Sequence, residues 1–175
     1  MAGQTVLIVG YGSIGAAVER RLAGFEVDVL RVARRARGGV APVTPVSQVG
    51  ELLPVADVVV VLAPVTTETI GMVDAGFLAR MKDGALLVNV ARGGVVDTGA
   101  LLAELASGRL RAALDVTDPE PLPADHPLWH APGVLITPHV GGPSSAFLPR
   151  ALRLLRSQLL LDLAGEPLAN VVVGG

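Results

Sequence analysis

TVLIVGYGSIG, residues 5–15, decides how the rest of the chain is read. Val6, Leu7, Ile8 and Val9 form the short apolar run of a strand buried on both faces. Gly10, Gly12 and Gly15 follow at G-x-G-x-x-G spacing, and residues 16–22 continue with helix-compatible side chains. Each glycine answers a separate demand. Gly10 permits the tight turn out of the strand, Gly12 leaves the backbone open to a pyrophosphate, and Gly15 lets the helix close on the sheet. The first N–H groups of that helix, near Ser13 and Ile14, turn partial positive charge toward the phosphates. Strand before and helix after give the spacing its meaning: a nucleotide-type ligand, with a methyltransferase's nucleotide as the rival to a dinucleotide.

Outward from this stretch, residues 27–32 read as a second strand. A dinucleotide fold places an acid about 20 residues past the glycines, where it holds the adenine ribose. Ala33 stands there instead, followed by Arg34 and Arg35. These cations can clamp a 2′-phosphate, which favours NADP over NAD; the alternative is a pair of solvated arginines at a loop tip. Residues 38–45 read as a loop holding a short strand. Ser47 can cap a brief helix that Pro54 ends. ADVVVVLA, residues 56–63, is the strongest buried-strand signal. Pro64 closes it, and a polar turn over residues 65–69 lies at the carboxyl end, where open α/β sheets bind ligands.

Asp74 can cap a helix over residues 75–81, and Asp83-Gly84 turns into a strand over 85–90. Arg92 follows at once beside two glycines, placed to bind a carboxylate bidentately or to form a structural ion pair. Asp97 or Thr98 caps a helix over 100–107 that Gly108 stops. A strand over 110–116 contains Asp115, and a proline- and acid-rich loop over 117–132 needs something to hold it. Residues 134–137 form the last strand, with His139 just beyond. His126 and His130 read as polar loop residues. A final helix from Ser144 or Ser145 to about Ala164 presents Leu148, Leu152, Leu155 and Leu159 on one side, with Arg150, Arg153 and Arg156 on solvated faces. Strands alternate with helices throughout, so the expected fold is α/β, a doubly wound parallel sheet of Rossmann type in a single domain.

Bulk properties agree. The 175 residues are 51% hydrophobic and 17% charged, enough for one well-packed domain. A net charge of −2 gives no electrostatic case for nucleic acid. Cysteine is absent, which removes disulfides and thiolate chemistry. No apolar run reaches the about 18 residues of a membrane span, and no signal peptide is evident, so the expected location is cytoplasmic, with neither membrane nor metal as partner.

Arg92, Glu120 and His139 fall at carboxyl ends of strands or in the loops after them, and together they make a chemical set. A histidine with a carboxylate partner is held in one tautomer and suited to proton transfer. An arginine can anchor a substrate carboxylate and polarise the adjacent carbonyl. NVARGGVVD (89–97), ALDVTDPEPLP (113–123), TPHVGG (137–142) and LAPVTTET (62–69) resemble the signatures of the D-isomer-specific 2-hydroxyacid dehydrogenases, in order and spacing, over residues 5–172.

That resemblance implies Arg92 as substrate anchor, His139 as acid/base and Glu120 as its partner. It also implies Asp115 near the nicotinamide amide, with Ser13 and Ile14 at the pyrophosphate. Taken with the residue-level reading, the expected cofactor contacts are Gly10, Gly12, Ser13, Ile14, Gly15, Arg34, Ala63, Val90, Ala91, Arg92, Asp115, His139 and Gly142. Glu120 separates the chain from the similar formate dehydrogenases, which carry glutamine there. The implied reaction is hydride exchange between NADP(H), or NAD(H), and a small 2-oxo acid such as glyoxylate or hydroxypyruvate, giving a D-2-hydroxy acid. The resemblance also implies a homodimer, with residues 122–129 in the associating region. Residues 1–166 correspond to the family's dinucleotide-binding domain and residues 167–175 to a tail that returns to the substrate domain. The substrate domain itself is absent from this sequence, so weak or no turnover is expected of the chain alone, and residues 171–173 with part of the last helix should form a bare apolar surface. The alternative is a non-catalytic dinucleotide-binding or interaction module.

Overall fold

The computed structural model describes residues 1–169 and 171. Its elements run β1 (Thr5–Val9), α1 (Ser13–Leu22), β2 (Asp28–Ala33), β3 (Thr44–Pro45), α2 (Val49–Leu52), β4 (Val58–Val61), α3 (Ala75–Arg80), β5 (Leu86–Asn89), α4 (Thr98–Ala106), β6 (Arg111–Leu114), β7 (Val134–Ile136) and α5 (Phe147–Leu163). The strands form one seven-stranded sheet in the order β3-β2-β1-β4-β5-β6-β7, every pair parallel. The expected doubly wound parallel sheet is therefore the observed fold, and its strand order reverses between β1 and β4, where such sheets bind ligands.

Alternation along β1 splits the core into two layers. Leu7 and Val9 join the larger cluster with Val59, Val61, Leu78, Leu87, Leu101, Leu105 and Leu128. Val6 and Ile8 face the other way, with Val58, toward Val18 and Leu22 of α1. Helix ends follow the sequence. Asp74 accepts a hydrogen bond from the Phe77 amide at 2.7 Å, and Asp97 accepts one from the Ala100 amide at 3.0 Å. Arg109 ties the far side together: it donates to Glu104 Oε2 at 2.7 Å and to the carbonyls of Met81 (2.7 Å) and Leu78 (2.5 Å).

The structure corrects several sequence expectations. Ser47 caps nothing: it lies inside a 3₁₀ turn, Val46–Gln48, and α2 starts two residues later. Pro54 does not end the segment either, because it sits at the start of a further 3₁₀ turn, Leu53–Val55, where its missing N–H costs nothing. His126 is more than a loop residue. Its Nδ1 accepts from the Leu128 amide at 3.2 Å and so caps the 3₁₀ helix Pro127–His130.

The described chain forms two compact units, Met1–His139 and Val140–Gly175. The second contains α5, on which Leu148, Leu152, Leu155 and Leu159 are all exposed. Within this unit the Ala169 amide donates to Gln158 Oε1 at 3.0 Å. Val171 is exposed, whereas Val172 and Val173, expected to share a bare apolar surface with it, lie outside the described residues, as does most of the tail expected over 167–175.

Candidate active site at the carboxyl ends of the strands

Four neighbouring strands deliver the candidate residues. Ala63 follows β4, Arg92 follows β5, Asp115 follows β6 and His139 follows β7, and the sheet order places these ends side by side. The glycine-rich turn closes the row at β1. Gly10 has φ +99°, and a Cβ there would sit 2.5 Å from the Ala63 amide nitrogen, so the turn and the β4 end touch through backbone alone. Around Gly12 a Cβ would meet nothing within 4 Å, which leaves the turn open on its ligand side. At Gly15 a Cβ would press on Tyr11 (3.1 Å) and Ile8 (3.2 Å), the close helix–sheet approach expected there. This is a cradle of the right form for a pyrophosphate: an open backbone turn leading into the ten-residue helix α1.

Two concavities open along these strand ends, the first of them beside the turn. One is lined by Ile14, Ala63, Pro64, Val90, Ala91 and Arg92. The other holds Asp115, Glu120, Leu122, Trp129, Thr137 and His139. In the second, His139 Nδ1 lies 2.6 Å from Glu120 Oε1, so the expected pair does meet. Arg92 stands in the first concavity, where it donates to the Ala91 carbonyl at 2.6 Å. Gly142 belongs to the second compact unit. Arg34 is exposed in the connection after β2. It stands near Glu68, whose carboxyl is held below its usual range by the Thr66 hydroxyl first and by Arg34 least.

Backbone geometry fixes His139. It has φ +54°, and its amide donates to the carbonyls of Asp115 (2.9 Å) and Thr137 (3.0 Å). Histidine is one of the side chains that tolerates this left-handed conformation. Asp115 is buried, its Oδ1 accepting from the Thr137 hydroxyl at 2.5 Å, so β6 and β7 are bonded together at their ends. The long loop that carries Glu120 is held by Thr98 Oγ1 donating to the Asp118 carbonyl (3.0 Å) and by Trp129 Nε1 donating to the Pro123 carbonyl (2.7 Å).

Two positioning residues escaped the sequence reading. Asn89, only 1% exposed, accepts from the Ala91 amide at 3.1 Å and donates to the Arg92 carbonyl at 3.0 Å, so its side chain braces the turn that presents Arg92. The available signal was an amide ending the apolar run LLVN. Gly93 is the second: a Cβ there would lie 1.9 Å from the Thr117 carbonyl oxygen, so the Arg92 turn and the Glu120 loop cross in backbone contact. Farther off, beside the glycine-rich turn, Glu19 accepts from Arg31, which lowers its carboxyl below the ordinary value, and it also accepts from the Tyr11 hydroxyl, which raises the phenol. Among the described residues no group of histidine and carboxylate side chains is arranged to hold a metal ion, and no helix is long and apolar enough to cross a membrane.

Residues 1–141 match the family model described as D-isomer specific 2-hydroxyacid dehydrogenase, NAD binding domain. The chain is 37% identical over 170 residues to a glyoxylate reductase of Thermofilum pendens, covering 95% of this chain and 50% of that protein. It is 39% identical over 170 residues to a human glyoxylate reductase/hydroxypyruvate reductase, covering 95% and 52%. It thus spans about half the length of the curated relatives it matches. A solved D-isomer specific 2-hydroxyacid dehydrogenase of Xanthobacter autotrophicus, in complex with NADPH and MES, superposes with a TM-score of 0.85 at 37% identity, over 97% of this chain and 71% of that one.

Proposed function

The chain belongs to the D-isomer specific 2-hydroxyacid dehydrogenase family, through its NAD binding domain, and from that premise we propose that its strand-end cleft serves hydride exchange between NADP(H) and a small 2-oxo acid. Glyoxylate and hydroxypyruvate are the substrate class, and a D-2-hydroxy acid is the product. The observation that carries this reading is the 2.6 Å His139–Glu120 pair, set at the end of β7 in line with Ala63, Arg92 and Asp115. The open turn at Gly12 and the α1 N-terminus would receive the pyrophosphate, Arg34 the 2′-phosphate, and Ala63, Val90, Ala91 and Asp115 the nicotinamide half. When bound, the cofactor supplies the hydride taken up by the carbonyl carbon.

The proton that completes the hydroxyl comes from His139. Nδ1 is committed to the Glu120 carboxylate, so Nε2 is the nitrogen left for the substrate oxygen. Arg92 uses one N–H on the Ala91 carbonyl and offers its remaining fork to the substrate carboxylate, a bidentate match. Catalysis of this kind depends on excluding water and fixing the substrate against the cofactor. Residues 1–166 make up the dinucleotide-binding domain in this reading, and residues 167–175 lead back toward a substrate domain. Cytoplasmic location belongs to the same reading. So does a homodimer through residues 122–129, where Trp129 is 46% exposed; a monomer by light scattering at high concentration would contradict it.

A calorimetric titration with NADPH and NADH tests the cofactor assignment. NADPH should bind more tightly, and Arg34→Ala should remove about 1–3 kcal/mol of NADPH binding, the worth of a charged hydrogen bond, while leaving NADH unchanged. Equal affinity for the two cofactors would reject the assignment.

A further inference from the structure

Arg37 has no place among these cofactor contacts, yet it is fastened at both backbone and side chain. Its amide donates to the Val43 carbonyl at 3.1 Å, and the Val43 amide donates back to the Arg37 carbonyl at 2.9 Å. Val43 is buried. Upstream, Ala33 is paired with Pro45 across β2 and β3. Residues 34–36 are therefore an arch with both feet fixed, and Arg34 stands at its start.

The Arg37 side chain reaches back to the glycine-rich turn. It donates to the Tyr11 carbonyl, and its guanidinium carbon lies 5.7 Å from the centre of the Tyr11 ring. Arg31 lies 5.8 Å from the same ring, within cation–π range. Tyr11 is itself anchored, because its hydroxyl donates to Glu19, which also accepts from Arg31. Tyr11 stands between Gly10 and Gly12, so the arch and the open turn share one fixed residue. An arch without that tie would lose conformational entropy each time a ligand ordered it.

We propose that Arg37, clamped on Tyr11, is a positioning residue for the 2′-phosphate of NADP(H), holding the 34–36 arch so that Arg34 meets the phosphate already ordered. The proposal rests on the NADP reading above. Binding of NADPH and NADH to Arg37→Gln, Tyr11→Leu and the double variant tests it. Arg37→Gln is expected to weaken NADPH about three- to tenfold and to leave NADH within about twofold. Tyr11→Leu keeps the carbonyl that Arg37 binds and removes the ring contact, so it should cost NADPH less relative to NADH. The double variant should be no weaker than the product of Arg37→Gln and any loss Tyr11→Leu shows with NADH, as for residues that share one contact. NADPH-specific losses that multiply would overturn the proposal and make Arg37 a direct phosphate ligand; unchanged NADPH binding in Arg37→Gln would overturn it as well. Limited trypsin digestion without cofactor separates the clamp from the cofactor reading. Cleavage after Arg34 and Arg35 should be several-fold faster in Arg37→Gln, and an unchanged rate would mean that no clamp exists. A wild-type chain with no preference for NADPH would defeat the NADP reading and the phosphate role together, even where trypsin still reports the clamp.

Discussion

Gly93→Ala is expected to destabilise the fold by about 3 kcal/mol or more, at or beyond the upper end of overpacking costs, and to separate His139 from its carboxylate. The added methyl would lie 1.9 Å from the Thr117 carbonyl oxygen, 2.1 Å from its carbon and 2.7 Å from the Asp118 nitrogen. All three atoms are backbone, so no side-chain rotation relieves the contact. Either the turn after β5 moves, taking Arg92 with it, or residues 117–118 move and drag the Glu120 loop. The next residue is the natural control. A Cβ at Gly94 would meet only Asp118 Oδ2, at 3.7 Å, so Gly94→Ala should change stability by no more than about 0.5 kcal/mol. Denaturant midpoints of the two variants decide it; equal midpoints would refute the claim that the two loops are fixed by that crossing.

His139→Asn is expected to slow hydride transfer to glyoxylate by about 10²- to 10⁴-fold, the usual worth of a positioned acid/base. Asparagine is the replacement of choice because residue 139 has φ +54°, a conformation asparagine tolerates. The amide bonds to the Asp115 and Thr137 carbonyls therefore survive, while the proton carrier and its bond to Glu120 are lost. Single-turnover measurements with the chain in excess over NADPH report the chemical step even where overall turnover is slow. A variant as fast as wild type would remove His139 from the reaction. A wild-type chain that binds NADPH and transfers no hydride even when a substrate domain is supplied in trans would favour the non-catalytic alternative.

Much of the fold was legible because its strongest signals are local. The β1–turn–α1 unit follows from an apolar run and three glycines, and the open space at Gly12 and the backbone contact of Gly10 with Ala63 are what those glycines permit. Asp74 and Asp97 were legible as caps because capping uses the residue's own neighbours. Ser47 was misread for the same reason: its sequence context suits a cap, but the chain enters α2 through a 3₁₀ turn already in progress. The pairing of His139 with Glu120 could be expected only from the resemblance, since 19 residues of loop and strand separate them. Asn89 acts on its own neighbours, Ala91 and Arg92, yet an amide ending an apolar run does not announce that role, and Gly93 acts through a contact with Thr117 that exists only once β5 and β6 are adjacent. Tyr11 and Arg37 are likewise 26 residues apart, and their meeting depends on how the β2–β3 connection folds back.

The central claim is that one dinucleotide lies along the strand ends from the glycine-rich turn to His139. Backbone amide shifts of the isotope-labelled chain during NADPH titration test it most directly. The account predicts shifts at Gly10, Gly12, Ser13, Ile14, Gly15 and Arg34, and at Ala63, Val90, Ala91, Arg92, Asp115 and His139, with α3 and α4 silent. Shifts that leave out the glycine-rich turn, or no shifts at saturating NADPH, would contradict it.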